Sequence, residues 1–325
     1  MTQAKPTLLQ LLPFPSLEGA QERLERHYEV IRLWEAADPN ETMQRHAQRI
    51  SVLITSAVTS TPAALIDSLP ALKAICSVGV GYDNIDVRHA QSKGIQVSNT
   101  PDVLNDCVAD LAWGLILATA REMGRAERFV RAGHWGASPA NLPLGTKVTG
   151  KNLGIVGLGR IGQAIAERAA GFKMPVRYHN RHPRQDVAWE YVPTLLALAE
   201  WADFLVVATV GGEQTRHLID SQAMRALGPR GILINVARGS VVDETALAQA
   251  LGDGTLGGAG LDVFESEPNV PQALLESDKA VLLPHIASAT RETRHDMLDL
   301  VIRNTESYAQ SGNVLTPIPT LGARG

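Results

Sequence analysis

The chain has 325 residues and a formal net charge of −4, with 30 Lys or Arg against 34 Asp or Glu. A chain of this length can bury a large core and predicts two domains, while the charge balance excludes a broad basic surface for nucleic acid or an anionic membrane. Its 2 cysteines form no CxxC pair, and no N-terminal stretch joins basic residues to a long apolar run, so we expect a reduced, cytoplasmic protein without a membrane segment.

Short apolar runs alternate with helical patterns through the first third of the chain, which predicts a parallel α/β unit. The predicted strands cover residues 8–12, 30–33, 52–55, 73–78 and 95–98. The fourth strand ends in the small-residue turn Ser77-Val78-Gly79-Val80-Gly81. We expect free backbone N–H groups in this turn, which can bind an anion without a side chain.

A long, mostly apolar segment without proline follows at residues 105–132. It predicts one continuous helix that crosses between domains. Its length and apolar surface make it a candidate dimer element. The turn-rich residues 133–150 then lead to a second α/β unit.

The second unit repeats the alternation of strand and helix. Its predicted strands cover residues 153–156, 176–179, 204–208, 232–235, 259–261 and 281–283. Six parallel strands suit a dinucleotide-binding fold. Residues 290–311 predict a final helix, which most economically returns to pack on the first unit and leaves that domain discontinuous.

A glycine-rich turn follows the first of these strands. Gly157-Leu158-Gly159-Arg160-Ile161-Gly162 leads into an amphipathic pattern over residues 163–168. The first Gly permits the tight turn, the second lets the backbone approach a pyrophosphate, and the third lets the helix pack on the strand. Since the helix N-terminus would face the phosphates, we expect this loop to bind a dinucleotide.

The next strand ends in Asn180-Arg181-His182-Pro183-Arg184, where an NAD-binding protein would carry Asp or Glu on the ribose 2′-hydroxyl. A guanidinium at Arg181 can form paired hydrogen bonds to a 2′-phosphate, so NADP(H) is the expected cofactor. A solvated basic loop, with NAD as cofactor, stays open as the alternative. The residues expected to contact the cofactor beyond the glycine turn are Asn180, Arg181, His182, Arg184, Thr209, Ala237 and Asp262. Asp262 ends a strand near the same edge and is a candidate for binding the nicotinamide carboxamide.

Three ionisable residues, Arg238, Glu267 and His285, follow predicted strand ends, where ligands bind in open α/β sheets. They meet the needs of 2-oxo acid reduction by a nicotinamide. His285 would donate the proton, Glu267 would favour the imidazolium, and Arg238 would polarise the carbonyl oxygen and hold the carboxylate. Glu265 competes with Glu267 for this role, and the motif favours Glu267. No histidine pairs with Cys, Asp or Glu at a metal-ligand spacing, so no metal is expected.

The order of these motifs resembles that of the D-2-hydroxyacid dehydrogenases, from about residue 70 to the end. Within that family the chain is similar to NADPH-dependent glyoxylate/hydroxypyruvate reductases, close to hydroxyphenylpyruvate and 2-ketogluconate reductases. The matching segments are Ser77-Val78-Gly79 and residues 157–162, 235–244, 257–268 and 284–290. The resemblance implies that Arg238 and the backbone of Val78 and Gly79 hold substrate, and that His285 with Glu267 transfers the proton. It also implies a homodimer whose domains close over the cofactor, and Ser288 is a further candidate substrate contact.

The fold predicted from these patterns is α/β with two doubly wound parallel-sheet domains. A Rossmann cofactor domain at residues 101–288 would be inserted into a flavodoxin-like substrate domain at residues 1–100 and 289–325. The interdomain cleft would then hold the reaction.

One departure from the family concerns the turn-rich stretch, where some glyoxylate reductases carry tryptophans that reach the partner subunit's site. Here Trp135 is followed by Ser138, Asn141 and Leu142. The resemblance therefore implies a less bulky wall, which could admit a sugar-derived 2-oxo acid or an aryl pyruvate.

The predicted function is NADPH-dependent reduction of small 2-oxo acids, glyoxylate and hydroxypyruvate first. Reduction of 2-ketogluconate or hydroxyphenylpyruvate is the alternative within the class. A nucleotide-sensing corepressor, which binds NAD(P)(H) with little turnover, is the alternative from another class.

Overall fold

The computed structural model describes residues 5–136 and 142–320. The chain divides into two compact units. One joins the residues up to Leu104 with those from Thr290 onward, and the other is Asn105–Ala289. That the first holds the substrate and the second the cofactor stays a prediction.

The strands are β1 (Thr7–Gln10), β2 (Glu29–Arg32), β3 (Ile50–Ser56), β4 (Ala74–Val78), β5 (Gln96–Ser98), β6 (Leu153–Val156), β7 (Val176–His179), β8 (Glu190–Tyr191), β9 (Phe204–Val207), β10 (Ile232–Asn235), β11 (Gly258–Leu261) and β12 (Ala280–Leu282). The α-helices are α1 (Ala20–His27), α2 (Pro39–His46), α3 (Ala63–Asp67), α4 (Val87–Ser92), α5 (Asn105–Ala120), α6 (Met123–Arg131), α7 (Arg160–Arg168), α8 (Leu195–Trp201), α9 (Ser221–Leu227), α10 (Glu244–Asp253), α11 (Gln272–Leu275) and α12 (Arg291–Ser311).

The first unit is built on a five-stranded parallel sheet in the order β2-β1-β3-β4-β5. This is the flavodoxin-like strand order. Leu9, Leu53 and Ile75 are fully buried in the core of this sheet. Helix α12 belongs to the same unit, where the buried Tyr28 hydroxyl donates a hydrogen bond to the Thr305 carbonyl over 2.7 Å.

The second unit contains a seven-stranded parallel sheet in the order β12-β11-β10-β9-β6-β7-β8. The chain starts at β6, builds outward through β7 and β8, then resumes at β9 on the other side of β6. The strand order therefore reverses between β6 and β9, which is where open α/β sheets bind ligands. The predicted α/β fold with two parallel sheets is confirmed, and every predicted strand overlaps an observed one.

Strand β8 is the one element of this sheet that the sequence did not predict. It pairs with β7 through Arg177 and Tyr178. A strand of two residues is too short to show a hydrophobic period.

The predicted continuous helix over residues 105–132 is wrong, because the structure breaks it between Ala120 and Met123. Thr146 donates its backbone N–H to the Ala120 carbonyl over 2.6 Å and so occupies an acceptor that the next helical turn would need. Glu122 then adopts a left-handed backbone at φ 51°. Three apolar side chains of α5, those of Ala112, Leu115 and Ile116, are buried within this chain and cannot face a partner, whereas the role of the whole segment in a dimer stays a prediction.

Within the described ranges, no helix is both long enough and apolar enough to cross a membrane.

Candidate active site

His285 lies on the loop after β12, in a left-handed backbone conformation at φ 54°. Asp262, at the end of β11, holds this loop with three of its atoms. The Asp262 carbonyl accepts from the His285 N–H, and its two carboxylate oxygens accept from the N–H groups of Ile286 and Ala287, each over 2.8 Å. The imidazole Nδ1 then lies 2.8 Å from Glu267 Oε2. Asp262 and Glu267 therefore fix the position of His285, the residue that the sequence predicted as the proton donor.

The Glu267 carboxylate faces His285 with one oxygen and accepts the Phe264 N–H with the other, over 3.0 Å. Burial raises the pKa of Glu267, but the hydrogen bonds from His285 and Phe264 and the charges of His285 and Arg238 outweigh it and hold this pKa below its ordinary range. Glu267 is therefore ionised at neutral pH, and its carboxylate holds the Nδ1 side of the His285 ring.

Arg238 follows β10 in a turn that Asn235 shapes. The Asn235 Nδ2 donates to the Arg238 carbonyl over 2.9 Å, and its Oδ1 accepts the Ala237 N–H over 3.0 Å. The half-buried Arg238 places its charge close enough to Glu267 to lower the pKa of that carboxyl. The structure thus brings Arg238, Glu267 and His285 into one electrostatic environment, and it shows Asn235 as a supporting residue that the sequence did not indicate.

The glycine turn lies between β6 and α7, beside the end of β9. A Cβ on Gly157 would stand 2.6 Å from the backbone nitrogen of Thr209, and one on Gly162 would stand 2.2 Å from the Gly157 carbonyl oxygen. A Cβ on Gly159 would meet no atom within 4 Å. Two glycines are thus required by packing, while the middle one faces open space at the N-terminus of α7, next to the exposed Arg160. This cradle fits a dinucleotide pyrophosphate.

The polar side chains of the segment after β7 fall into two groups, those that bind the glycine turn and those that are exposed. Asn180 Oδ1 accepts the Leu158 N–H over 2.7 Å, and Arg184 Nη1 donates to the Leu158 carbonyl over 2.9 Å while its Nε binds Asp186. Both side chains therefore hold the glycine turn in place. Arg181 and His182 are exposed, and Arg181 makes no hydrogen bond or ion pair to any residue that the structure describes.

Residues 113–287 match the family of the D-isomer specific 2-hydroxyacid dehydrogenase, NAD binding domain. The chain belongs to this dehydrogenase family. It is 45% identical over 308 residues to glyoxylate/hydroxypyruvate reductase A of Arabidopsis thaliana, covering 95% of this chain and 98% of that one. Hydroxyphenylpyruvate reductase of Plectranthus scutellarioides is 42% identical over 308 residues, with coverage of 95% and 98%.

Solved structures agree with the sequence relatives. A crystal structure of an NADPH-dependent glyoxylate/hydroxypyruvate reductase from Sinorhizobium meliloti, in complex with NADP and malonate, superposes with a TM-score of 0.88. It is 41% identical and covers 98% of each chain. The protein is therefore an oxidoreductase of 2-hydroxy acids that uses a nicotinamide dinucleotide.

Asp262 makes contacts within this dehydrogenase that the sequence did not predict. Its side chain is 0% exposed and both of its carboxylate oxygens bind the loop that carries His285. Burial raises the pKa of Asp262 despite the two N–H bonds that it accepts. Its expected contact with the nicotinamide carboxamide stays a prediction.

The expectation of free backbone N–H groups in the turn after β4 is wrong for Gly79. The Gly79 N–H donates to the buried Thr100 Oγ1 over 3.0 Å. The same threonine donates its backbone N–H to the Gly79 carbonyl over 2.9 Å, and Asn99 Nδ2 donates to the Val80 carbonyl over 2.8 Å. Substrate binding by the Val78 and Gly79 backbone stays a prediction.

The remaining predicted contacts are distributed around the same sheet edge. Ser288 is half-buried on the loop of His285, Ala237 is buried in the turn of Arg238, and Ile161 is half-buried in the first turn of α7. Trp135 is 80% exposed, while Ser138 and Asn141 lie outside the described residues.

Proposed function

We propose that this dehydrogenase reduces small 2-oxo acids to D-2-hydroxy acids with NADPH, and that glyoxylate and hydroxypyruvate are its first substrates. The observation that carries the proposal is the 2.8 Å contact between His285 Nδ1 and Glu267 Oε2 beside Arg238. The relatives at 45% and 41% identity, named as glyoxylate/hydroxypyruvate reductases, support the choice of substrate.

The three side chains divide the chemistry between them. NADPH, when bound at the glycine turn, supplies the hydride. Because Glu267 holds Nδ1 of His285, Nε2 is the nitrogen left to donate a proton to the oxygen of the substrate carbonyl. The planar guanidinium of Arg238 suits both that oxygen and the neighbouring carboxylate, and it stabilises the negative charge that develops there.

The preference for NADPH rests on the segment after β7. Arg181 is exposed at the end of the strand that follows the glycine turn, where a 2′-phosphate would lie. Asn180 carries an amide and no carboxylate for the ribose, and its Oδ1 accepts the Leu158 N–H. His182 follows Arg181, is also exposed, and completes the proposed phosphate site, while Arg184 supports it by holding the glycine turn.

We further propose a cytoplasmic homodimer without a nucleic-acid partner. Met123 and Val130 are 54% and 52% exposed and lie seven residues apart on α6, hence on the same helix face. Burial raises the pKa of the Cys76 thiol to about 12, which keeps it unreactive and is compatible with a reduced compartment.

Initial rates with NADPH and with NADH test the function on glyoxylate, hydroxypyruvate, hydroxyphenylpyruvate and 2-ketogluconate. The expected result is a strong preference for NADPH with glyoxylate or hydroxypyruvate as the favoured acid. A preference for hydroxyphenylpyruvate or 2-ketogluconate would replace the proposed substrate and keep the chemistry. Absence of turnover on all four would contradict the proposal and favour a nucleotide sensor.

A further inference from the structure

Arg238 and Glu267 lie on different segments of the second unit, and the two segments touch through their backbones. A Cβ on Gly239 would stand 1.8 Å from the carbonyl carbon of Phe264 and 2.1 Å from the backbone nitrogen of Glu265. Only glycine permits this contact. A displacement of the Glu265 backbone would therefore move the turn that carries Arg238, because close-packed interiors transmit strain.

Glu265 is fixed in place through both its backbone and its side chain. Its N–H donates to Glu244 Oε1 over 2.7 Å. Its carboxylate pairs with Arg216 Nη1 at 2.5 Å and lies 3.2 and 3.3 Å from His217 Nε2. The side chain is 24% exposed, so most of it is enclosed by these partners.

The segment that carries Arg216 and His217 is itself bound next to Arg238. The His217 N–H donates to the Ser240 carbonyl over 2.8 Å, and the Ile219 N–H donates to the Val241 carbonyl over 3.0 Å. These contacts join the turn of Arg238 to residues 216–219, and residues 216–219 to Glu265, which is two residues from Glu267. The backbone contact between Gly239 and Glu265 closes the circuit.

The charges in this circuit favour an ionised Glu265. Burial raises the pKa of Glu265, but the hydrogen bonds and charges of His217 and Arg216 outweigh it and leave this pKa below its ordinary range. Glu244 is more deeply buried, and its burial and the charges of Glu265 and Glu267 together raise its pKa. Arg216 and His217 therefore bind the carboxylate of Glu265 as an anion.

We propose that Glu265, held by Arg216 and His217, is a positioning residue that fixes the spacing between Arg238 and the pair of Glu267 and His285. The inference rests on the proposed reductase function, because the spacing of these residues affects the rate only if they catalyse that reduction. None of Glu265, Arg216 and His217 is assigned a contact with substrate or cofactor.

The test compares Glu265→Gln and Glu265→Ala with Glu276→Gln, an exposed carboxylate of the same unit. We expect kcat/KM for the 2-oxo acid to fall about tenfold in Glu265→Ala and less in Glu265→Gln, which keeps an acceptor for His217. The NADPH dissociation constant should change less than about twofold, because the glycine turn is not part of the circuit. Arg216→Gln, at a half-exposed position, should lower kcat/KM without threatening the fold, and should add nothing to Glu265→Ala.

A readout without turnover separates this inference from the proposed function. NMR of histidine-labelled protein should show the His285 Nδ1–H signal displaced in Glu265→Ala and unchanged in Glu276→Gln. If the unaltered chain reduces no 2-oxo acid, the proposed function fails and the NMR signal alone decides the positioning role. An undisplaced signal, or kcat/KM unchanged in both Glu265→Ala and Arg216→Gln, would overturn it.

Discussion

Three acidic side chains near His285 differ in what they touch, and the contacts separate their roles. Glu267 faces the imidazole, Asp262 binds only the backbone of the imidazole's loop, and Glu265 pairs with Arg216 and His217. An extended segment would place Glu265 and Glu267 on one face, because side chains two residues apart point the same way. The chain turns at these residues, and the two carboxylates therefore reach different partners.

Glu267→Gln should change the pH dependence of folding. A carboxyl whose folded pKa is lowered adds stability that is present above its unfolded pKa, about 4.3 for Glu, and is lost as the pH falls through the folded value. We therefore expect the variant to be less stable than the unaltered protein at neutral pH, and the difference to shrink in acid. Urea unfolding at several pH values measures it, and a difference that does not vary with pH would contradict the assignment.

Arg181→Ala should weaken NADPH far more than NADH, because the lost contact is to a phosphate that NADH lacks. A hydrogen bond between charged groups contributes about 2 kcal/mol, so the NADPH dissociation constant should rise at least about tenfold. Arg177→Ala is the control, since Arg177 lies on β7, the strand that leads to Arg181, but pairs with Glu190 and stacks over Trp201. Equal weakening of both nucleotides would refute the assignment.

At the scale of elements, a network of hydrogen bonds around Asn304 shows how α12 supports the first unit. Asn304 is 0% exposed, and its side chain binds the Leu300 carbonyl, the Thr316 hydroxyl and the N–H groups of Leu315 and Thr316. The Thr316 hydroxyl in turn donates to the Asn99 carbonyl over 2.6 Å.

Asn304→Ala should therefore destabilise the protein by about 2–4 kcal/mol, since it leaves several buried groups without partners. Asn313→Ala is the matched control, because Asn313 is exposed and its amide binds only the Ser311 carbonyl. Urea unfolding at neutral pH compares the two. Equal losses, or a loss below about 1 kcal/mol in Asn304→Ala, would contradict the role given to this side chain.

A strand or helix could be predicted where the local hydrophobic pattern alone determines it. The apolar runs of β6 and β10 predicted the observed bounds, because a strand buried in a parallel sheet reads as a continuous apolar segment. The break after α5 was not predictable, since it depends on the distant Thr146 taking the Ala120 carbonyl. Local sequence carries no signal for such a long-range donor.

At the scale of the whole molecule, the order of motifs predicted which residues would meet but not what holds them. Arg238, Glu267 and His285 each follow a strand of one parallel sheet, so their approach follows from topology. The contact of Gly239 with Phe264 and the pairing of His217 with Glu265 depend on how loops fold over the sheet edge. The same limit applied to Gly79, whose N–H is taken by Thr100.

The proposed dimer gives a prediction at this scale. Light scattering should report about twice the chain mass of 34.9 kDa, and replacing both Met123 and Val130 by Glu should shift the protein toward the monomer if α6 lies in the interface. Replacing the exposed Leu275 by Glu is the control, since it lies on α11. A single-chain mass for the unaltered protein would contradict the dimer.

The central claim is that His285 donates the proton to a 2-oxo acid, and His285→Ala tests it most directly. Its kcat for glyoxylate or hydroxypyruvate reduction should be measured together with its NADPH dissociation constant. We predict that kcat falls about 100-fold or more, the contribution of a general acid, while NADPH binding is unchanged. Undiminished kcat in a variant that binds NADPH normally would contradict the account.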